Sequence, residues 1–159
     1  MLGAPQIVQT ALQLTASVPL SIPREAIQSV MGPAIGELMA VLAAQKIAPT
    51  GPLFSHHFRM DPQRFDFEIG APVATTVAAA GRVRPGQLPA ATVARAVYHG
   101  GYDGLGAAWG QLGAWIAEQG LSPAENLWEV YVAGPESSPD PRNWRTELNR
   151  PLTGDAPKA

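Results

Sequence analysis

Glu129 lies inside the run Leu127-Trp128-Glu129-Val130-Tyr131-Val132. The five other residues are apolar or aromatic and suit a strand covered on both sides or nearly so. A carboxylate in such a strand is costly to bury unless a partner neutralises it or its site stays wet. Two chemistries fit. One is a structural ion pair with an arginine from a neighbouring strand. The other is an acid at the floor of a cleft, where it meets a cation or a polar group. Strand side chains alternate faces, so Trp128, Val130 and Val132 share one face and Glu129 and Tyr131 share the other. A cation held by a carboxylate among aromatic faces gains Coulomb attraction and cation–π contact, each on the order of 1–2 kcal/mol when partly desolvated.

Other residue types capable of chemistry are few. Ser55 and His57 stand two apart, on one face of a strand expected over 53–60. His56 and His57 are neighbours and point to opposite faces, so they do not easily hold one ion. With only His99 besides and no cysteine, no metal site is expected. Ser55, His57 and a distant Glu129 are the residue types of a serine triad, but the Gly-x-Ser-x-Gly nucleophile elbow is missing. Gly100-Gly101-Tyr102-Asp103-Gly104 lacks the spacing and the lysine of a phosphate loop. No cofactor is expected. Tyr102 stands at a strand–helix junction. Trp109 lies on a helix stripe and reads as core or pocket wall. Trp144 either roofs a cleft or fills an edge.

Positioning these groups falls to a chain of 159 residues, enough for one domain or two small halves sharing a core. Apolar residues make up 46%, an ordinary share, whereas charged residues are only 15% against the usual 25% or so. A formal charge of −2 gives no electrostatic case for nucleic acid. No apolar run reaches the roughly 18 residues of a membrane span. The start, Met1-Leu2-Gly3-Ala4-Pro5, is not a signal peptide, and a cytoplasmic protein is expected. The 16 Gly and 16 Pro imply short elements joined by many turns.

In chain order, residues 6–22 read as one or two strands broken near Pro19. Ser29 to Lys46 reads as a helix with Ser29 as N-cap, Pro33 in or near the first turn, and Val30, Met31, Ala34, Ile35, Leu38 and Leu42 on its apolar face. Strands are expected at 53–60 and 64–69, the second alternating Phe65, Phe67 and Ile69 with Asp66 and Glu68, joined by a turn at Asp61-Pro62. Residues 74–83 read as a weak strand, 84–89 as a loop and 91–99 as a strand. A second helix is expected from Asp103, its N-cap, to Gln119, with Gly120 as C-cap and Leu105, Ala108, Trp109, Leu112 and Ile116 as its stripe. A polar loop spans 135–141, a last strand 143–149, and a tail 153–159.

Residues 35–58 resemble residues 109–132 at a constant offset of 74. Gly36 meets Gly110, Leu38 Leu112, Ala40 Ala114, Ala43 Ala117, Gln45 Gln119, Pro49 Pro123 and Leu53 Leu127. The match runs without a gap through helix, turn and strand, more than shared amphipathicity gives. Each half then reads strand–helix–strand–strand. The expected fold is α+β: two βαββ repeats, about 5–75 and 80–152, forming one antiparallel sheet with two main helices on one face. Phe54, Phe58, Trp128 and Val132 are expected to face the helices. Ser55, His57, Glu129 and Tyr131 are expected on the face away from them, near the axis between the halves.

Three ordered markers complete the reading. They are Phe67-Glu68-Ile69-Gly70-Ala71-Pro72-Val73; then Leu88-Pro89-Ala90 leading to His99-Gly100-Gly101-Tyr102, Leu105 and Trp109; then Trp128-Glu129-Val130-Tyr131 with Gly134-Pro135, Thr146-Glu147-Leu148 and Pro151-Leu152. In this order they resemble the GyrI-like effector-binding domain, also called the AraC-type or transcription-activator effector-binding domain. The resemblance covers about residues 5–152, as a single domain within 1–152. It implies a concave sheet with a pocket for a drug or metabolite between two repeats. It also implies a pocket acid at Glu129, which pairs with lipophilic cations, and a wall at Tyr102. The chain departs from the pattern in having no room for a helix-turn-helix and in carrying Gly101 where Pro often follows His-Gly.

The reading that follows is a stand-alone binding protein for a lipophilic, aromatic or cationic molecule, acting in sensing or sequestration. Its ligand-binding set is Glu129, Tyr131, Tyr102, Ser55, His57, Trp109, Phe67 and Trp144. An alternative is a hydrolase of small electrophiles using Glu129 with Tyr131. A further alternative is a protein-interaction module of the gyrase-inhibitor type, with a protein partner or a homodimer.

Overall fold

The computed structural model describes residues 1–60, 63–135 and 137–153. The expected turn at Asp61-Pro62, Glu136 of the expected 135–141 loop and the expected tail from Gly154 lie outside them. In chain order the strands and helices are β1 (Gln6–Gln9), β2 (Gln13–Pro23), α1 (Ile27–Ala44), β3 (Phe54–Met60), β4 (Arg64–Pro72), β5 (Arg84–Leu88), β6 (Thr92–His99), α2 (Leu105–Glu118), β7 (Ser122–Pro123), β8 (Leu127–Ala133) and β9 (Arg145–Thr153). Short 3-10 turns at Arg24–Ala26 and Tyr102–Gly104 lead into the two helices. The chain divides into two compact units, Ala11–Ala90 and Met1–Thr10 with Ala91–Ala159. Each combines one long helix with antiparallel strands, which bears out the α+β class.

In the unit Ala11–Ala90 the strand order is β3-β4-β2-β5. Val18 of β2 lies opposite Ile69 of β4, and Ala16 opposite Ala71. All four are fully buried, as are Ala34, Leu38 and Leu42 of α1, three residues at helical spacing. The break between β1 and β2 falls at residues 10–12 rather than near Pro19. Pro19 stays in β2 opposite Glu68. Its missing N–H costs little because β5 pairs β2 only over Gln13–Ser17, and beyond that β2 is an edge on that side. Residues 84–88 form the edge strand β5 instead of the expected loop. Pro85 and Gly86 read as loop residues, but an edge strand admits proline, and Gly86 lets β5 approach β2. A Cβ on Gly86 would stand 3.0 Å from Thr15 Oγ1 and 3.1 Å from Ser17 Oγ. Residues 74–83 are not a strand; only a bridge between Ala80 and Val83 forms, around Gly81 at φ +57°.

Both helix starts differ from the sequence reading. α1 begins at Ile27, and the Ser29 hydroxyl donates back to the Ala26 carbonyl at 2.8 Å instead of capping. Pro33 therefore lies in the second turn. α2 begins at Leu105 after the 3-10 turn that contains Asp103, with Gly104 at its N-cap and no side-chain cap.

The helix ends agree with the offset of 74. Gln45, Lys46 and Ile47 donate to the carbonyls of Val41, Ala43 and Leu42 at 3.0, 3.1 and 2.9 Å. Gln119, Gly120 and Leu121 donate to Trp115, Ala117 and Ile116 at 3.1, 3.0 and 3.1 Å. Both ends are Schellman caps, and both put the residue after the C-cap in the left-handed region, Lys46 at φ +59° and Gly120 at φ +71°. This supports an internal repeat. It also sets an expectation, because a β-carbon there costs roughly 1 kcal/mol. Lys46→Gly raises the unfolding free energy by about that amount and Gly120→Ala lowers it similarly, read from urea midpoints.

In the unit Met1–Thr10 with Ala91–Ala159 the strand order is β1-β6-β9-β8, with β7 pairing the far end of β9. The last strand starts at Arg145, two residues later than expected, and runs on through Pro151. Ala94 and Ala96 of β6 and Leu148 of β9 form a buried cluster with Ala108, Leu112 and Ile116 of α2. No helix among the described residues is long and apolar enough to cross a membrane.

Candidate functional site

Register on β8 decides where the acid points. Glu129 lies opposite Leu148, and Leu148 lies opposite Ala96. Cross-strand partners share a face. Leu148 and Ala96 pack under α2, so Glu129 and Tyr131 face the helix of their own unit. The sequence reading places them on the face away from the helices, and the strand register reverses it. Trp128 and Val130 take the opposite face, beside Asn149 and Glu147. There Arg95 Nε donates to Asn149 Oδ1 at 2.7 Å and pairs with Glu147 Oε1 at 3.4 Å. Val132 does not face α2 as expected. The register slips between Tyr131 and Ala133, which leaves Val132 as the extra residue, 47% exposed.

The physical reason for the swap is Trp109. It projects from α2 and donates its indole N–H to Glu129 Oε1 at 2.7 Å. The Tyr131 hydroxyl donates to Glu129 Oε2 at 3.0 Å. A buried acid under a helix is tolerable when two donors meet it, and no apolarity count along the strand registers that. Both donors are neutral. No basic side chain among the described residues pairs with Glu129, so the arginine alternative does not apply. Burial pushes the carboxyl pKa up from 4.5, and the bonds from Trp109 and Tyr131 offset that in part.

Two further rings from the expected set extend the group. Tyr102, on the 3-10 turn before α2, meets Tyr131 edge-on at 5.7 Å and Trp144 at 5.0 Å between centroids. Trp144 is held by its indole N–H, which donates to the Ser138 carbonyl at 2.8 Å. Tyr102 is 38% exposed, so this end of the group is open to solvent. The turn that carries Tyr102 wraps Tyr98. A Cβ on Gly100 would stand 2.8 Å from the Tyr98 hydroxyl, one on Gly104 would overlap it, and Gly100 sits at φ +145°. Gly101, at φ −72° and ψ 159°, holds a conformation that proline also adopts, but a Cβ there would stand 2.9 Å from Asp103 Oδ1 and 3.3 Å from Pro141 Cβ.

Five of the eight expected residues, Glu129, Tyr131, Trp109, Tyr102 and Trp144, therefore meet in one unit. Ser55, His57 and Phe67 belong to the other. Ser55 lies opposite Ile69 and His57 opposite Phe67 on one sheet face. The His57 ring stacks on Phe67 at 4.8 Å and 13°. Burial first, then the charges of His56 and Arg24, lower its pKa from 6.5 to about 4. One group escaped the sequence reading. Thr146 lies opposite both Tyr131 and Tyr98, on the face of Glu129, fully buried, and its hydroxyl has no hydrogen-bond partner among the described residues. Only the register brings it to the site.

No curated protein sequence matches the chain. Among solved structures, the crystal structure of the EcmrR C-terminal domain is similar over 96% of this chain and 98% of that one, at 20% identity and a TM-score of 0.81. The cryo-EM structure of the EcmrR–DNA complex matches at 21% identity and a TM-score of 0.81, over 94% of this chain. The chain spans 57% of the length of EcmrR in that complex. SAV2435 bound to tetraphenylphosphonium matches at 13% identity and a TM-score of 0.65, over 96% of this chain and 95% of that one. These likenesses support the fold. The family model for the GyrI-like small molecule binding domain matches residues 6–152, and by that match the chain belongs to the GyrI-like family.

Proposed function

We propose that the protein binds a lipophilic, aromatic or cationic small molecule, for sensing or sequestration, with Glu129 as the charged anchor and Trp109, Tyr131, Tyr102 and Trp144 as its aromatic surround. The observation that carries this is a buried carboxyl held by two neutral donors and, among the described residues, by no cation. Each carboxylate oxygen keeps a lone pair after accepting one bond, so the acid can meet a cation without giving up its supports. A ligand cation stabilises the ionised form, supplying the positive charge that the protein withholds. The Thr146 hydroxyl, without a hydrogen-bond partner among the described residues, offers a polar contact on the same face. SAV2435, which shares the fold, was solved with an aromatic phosphonium cation.

The test is titration with tetraphenylphosphonium, followed by quenching of tryptophan fluorescence. Glu129→Gln weakens binding by about 10- to 100-fold, the range for a charge contact in a desolvated site. The affinity of the unsubstituted protein rises with pH until the carboxyl is fully ionised, whereas that of the variant stays flat. Equal affinities for the two proteins sink the charge argument.

A raised carboxyl beside a tyrosine hydroxyl also has the form of a general acid, which keeps hydrolysis of small electrophiles as a second reading. Turnover lost in both Glu129→Gln and Tyr131→Phe favours it; binding without turnover rejects it.

A further inference from the structure

From Met1 to Pro23 the chain carries no charged side chain. Strand β1 lies inside this stretch and ends its sheet. One side of it pairs with β6, and no strand among the described residues pairs with the other. Sheet edges are commonly blunted by charge or proline, and the edge strand β5 has both, Arg84 and Pro85. Gln6-Ile7-Val8-Gln9 has neither, and Ile7 is 39% exposed.

Register decides which backbone groups of β1 face outward. Thr10 donates its N–H to the Ala91 carbonyl at 2.8 Å, in step with the pairs Gln9↔Thr92 and Val8↔Val93. In an antiparallel ladder every second residue turns both its groups to the same neighbour. Thr10, Val8 and Gln6 therefore bond β6, while Gln9 and Ile7 turn N–H and C=O to the open side. A second copy of β1 matches these groups about a twofold axis at Val8. Ile7 of each copy then faces Gln9 of the other, and four ladder bonds form. An axis at Ile7 would set Gln9 against Pro5, which has no N–H, and one at Gln9 would run past the end of β1 at Ala11. At the axis Val8 meets its own copy, so no like charges are opposed.

Ile7 lies opposite Ala94 and so shares the face of α2. On that face a hollow of about 420 Å³ lies between residues 2–5 and the side chains of Ala114, Trp115 and Glu118. The same register runs Thr10 of the second copy along Gln6, next to Pro5 at the rim of this hollow. A four-residue ladder alone falls short of the roughly 1,000 Å² that a specific interface buries, and the hollow adds apolar surface beside it.

We propose that β1 is a homodimer interface, where two copies pair antiparallel about Val8 into one continuous sheet. No residue is shared with the Glu129 site, so ligand binding and dimerisation stand or fall separately.

Sedimentation equilibrium of the full chain without ligand, over a concentration series, shows a monomer–dimer equilibrium. Gln9→Pro raises the dimer dissociation constant by about 10- to 100-fold, because it removes two of the four ladder donors. At concentrations where both proteins are monomeric its urea midpoint matches that of the unsubstituted chain, since the lost N–H faces away from β6. Gln9→Ala keeps that N–H and leaves the dimer intact. Val8→Lys places two like charges at the axis, so it weakens the dimer at low salt and less at high salt. A chain that is monomeric at every concentration overturns the proposal and leaves the edge to a strand of another protein. A dimer indifferent to Gln9→Pro and Val8→Lys, or weakened equally by Gln9→Pro and Gln9→Ala, overturns it as well.

Discussion

Between pH 7 and pH 4 the protein loses roughly 3 kcal/mol of stability through His57, and His57→Phe removes that loss. The folded imidazole has its pKa lowered from 6.5 to about 4, and each unit of difference is worth about 1.4 kcal/mol. The unfolded chain takes up its proton as pH falls through 6.5, and the folded protein refuses it until about 4. The contribution is therefore complete above 6.5 and fades as pH drops through the folded value. Glu129 acts in the other direction. Its folded pKa is raised, so its contribution is complete below 4.5 and is lost as pH rises through the folded value. Comparing His57→Phe with the unsubstituted chain in the same buffers isolates the histidine. The new ring moves the whole curve by its packing but not its slope. Parallel urea midpoints from pH 7 to 4 would contradict the assignment.

Gly70→Ala costs roughly 3 kcal/mol, the upper end of what overpacking a core commonly costs. A Cβ at Gly70 would lie 2.6 Å from Phe54 Cζ and 2.8 Å from the Ala16 carbonyl oxygen. The first neighbour is a ring only 1% exposed with nowhere to swing, and the second is backbone. Gly36→Ala is the contrast, since a Cβ there meets nothing within 4 Å. Its expected effect is a gain of about 0.5–1 kcal/mol, the helix preference of alanine over glycine. Thermal unfolding of both variants checks the pair. Because the Phe54 ring supplies the closest contact, Phe54→Leu combined with Gly70→Ala recovers part of the loss, and strict additivity of the two substitutions would count against the stated cause.

The helices and most strands were legible because their apolar spacing is a local signal. β8 and the helix stripes come directly from it, and Gly120 marks the end of the second helix by its residue type. β5 was not legible, because Pro85 and Gly86 are loop residues everywhere except at a sheet edge. The helix starts were missed since Ser29 and Asp103 have the right side chains for capping but the chain enters each helix through a 3-10 turn. At the site, residue types were readable while directions were not. Trp128, Val130 and Val132 are the more apolar set on β8, so apolarity alone assigns them to the helix. An indole donor two elements away reverses that choice. Thr146 carries no local signal at all, since it depends on strand register.

Strand β1 pairs with β6 inside a unit whose last strand is β9, whereas residues 11–90 form a contiguous unit of their own. Order of manufacture and order of assembly are thus opposed. On the ribosome β1 emerges before β6 and must stay without that mate while the intervening stretch is synthesised and folds. Its ladder hydrogen bonds and Ile7 are open to other nascent chains throughout that interval. Slow translation between β1 and β6 lengthens the exposure, and a holding chaperone bound at β1 limits its consequences.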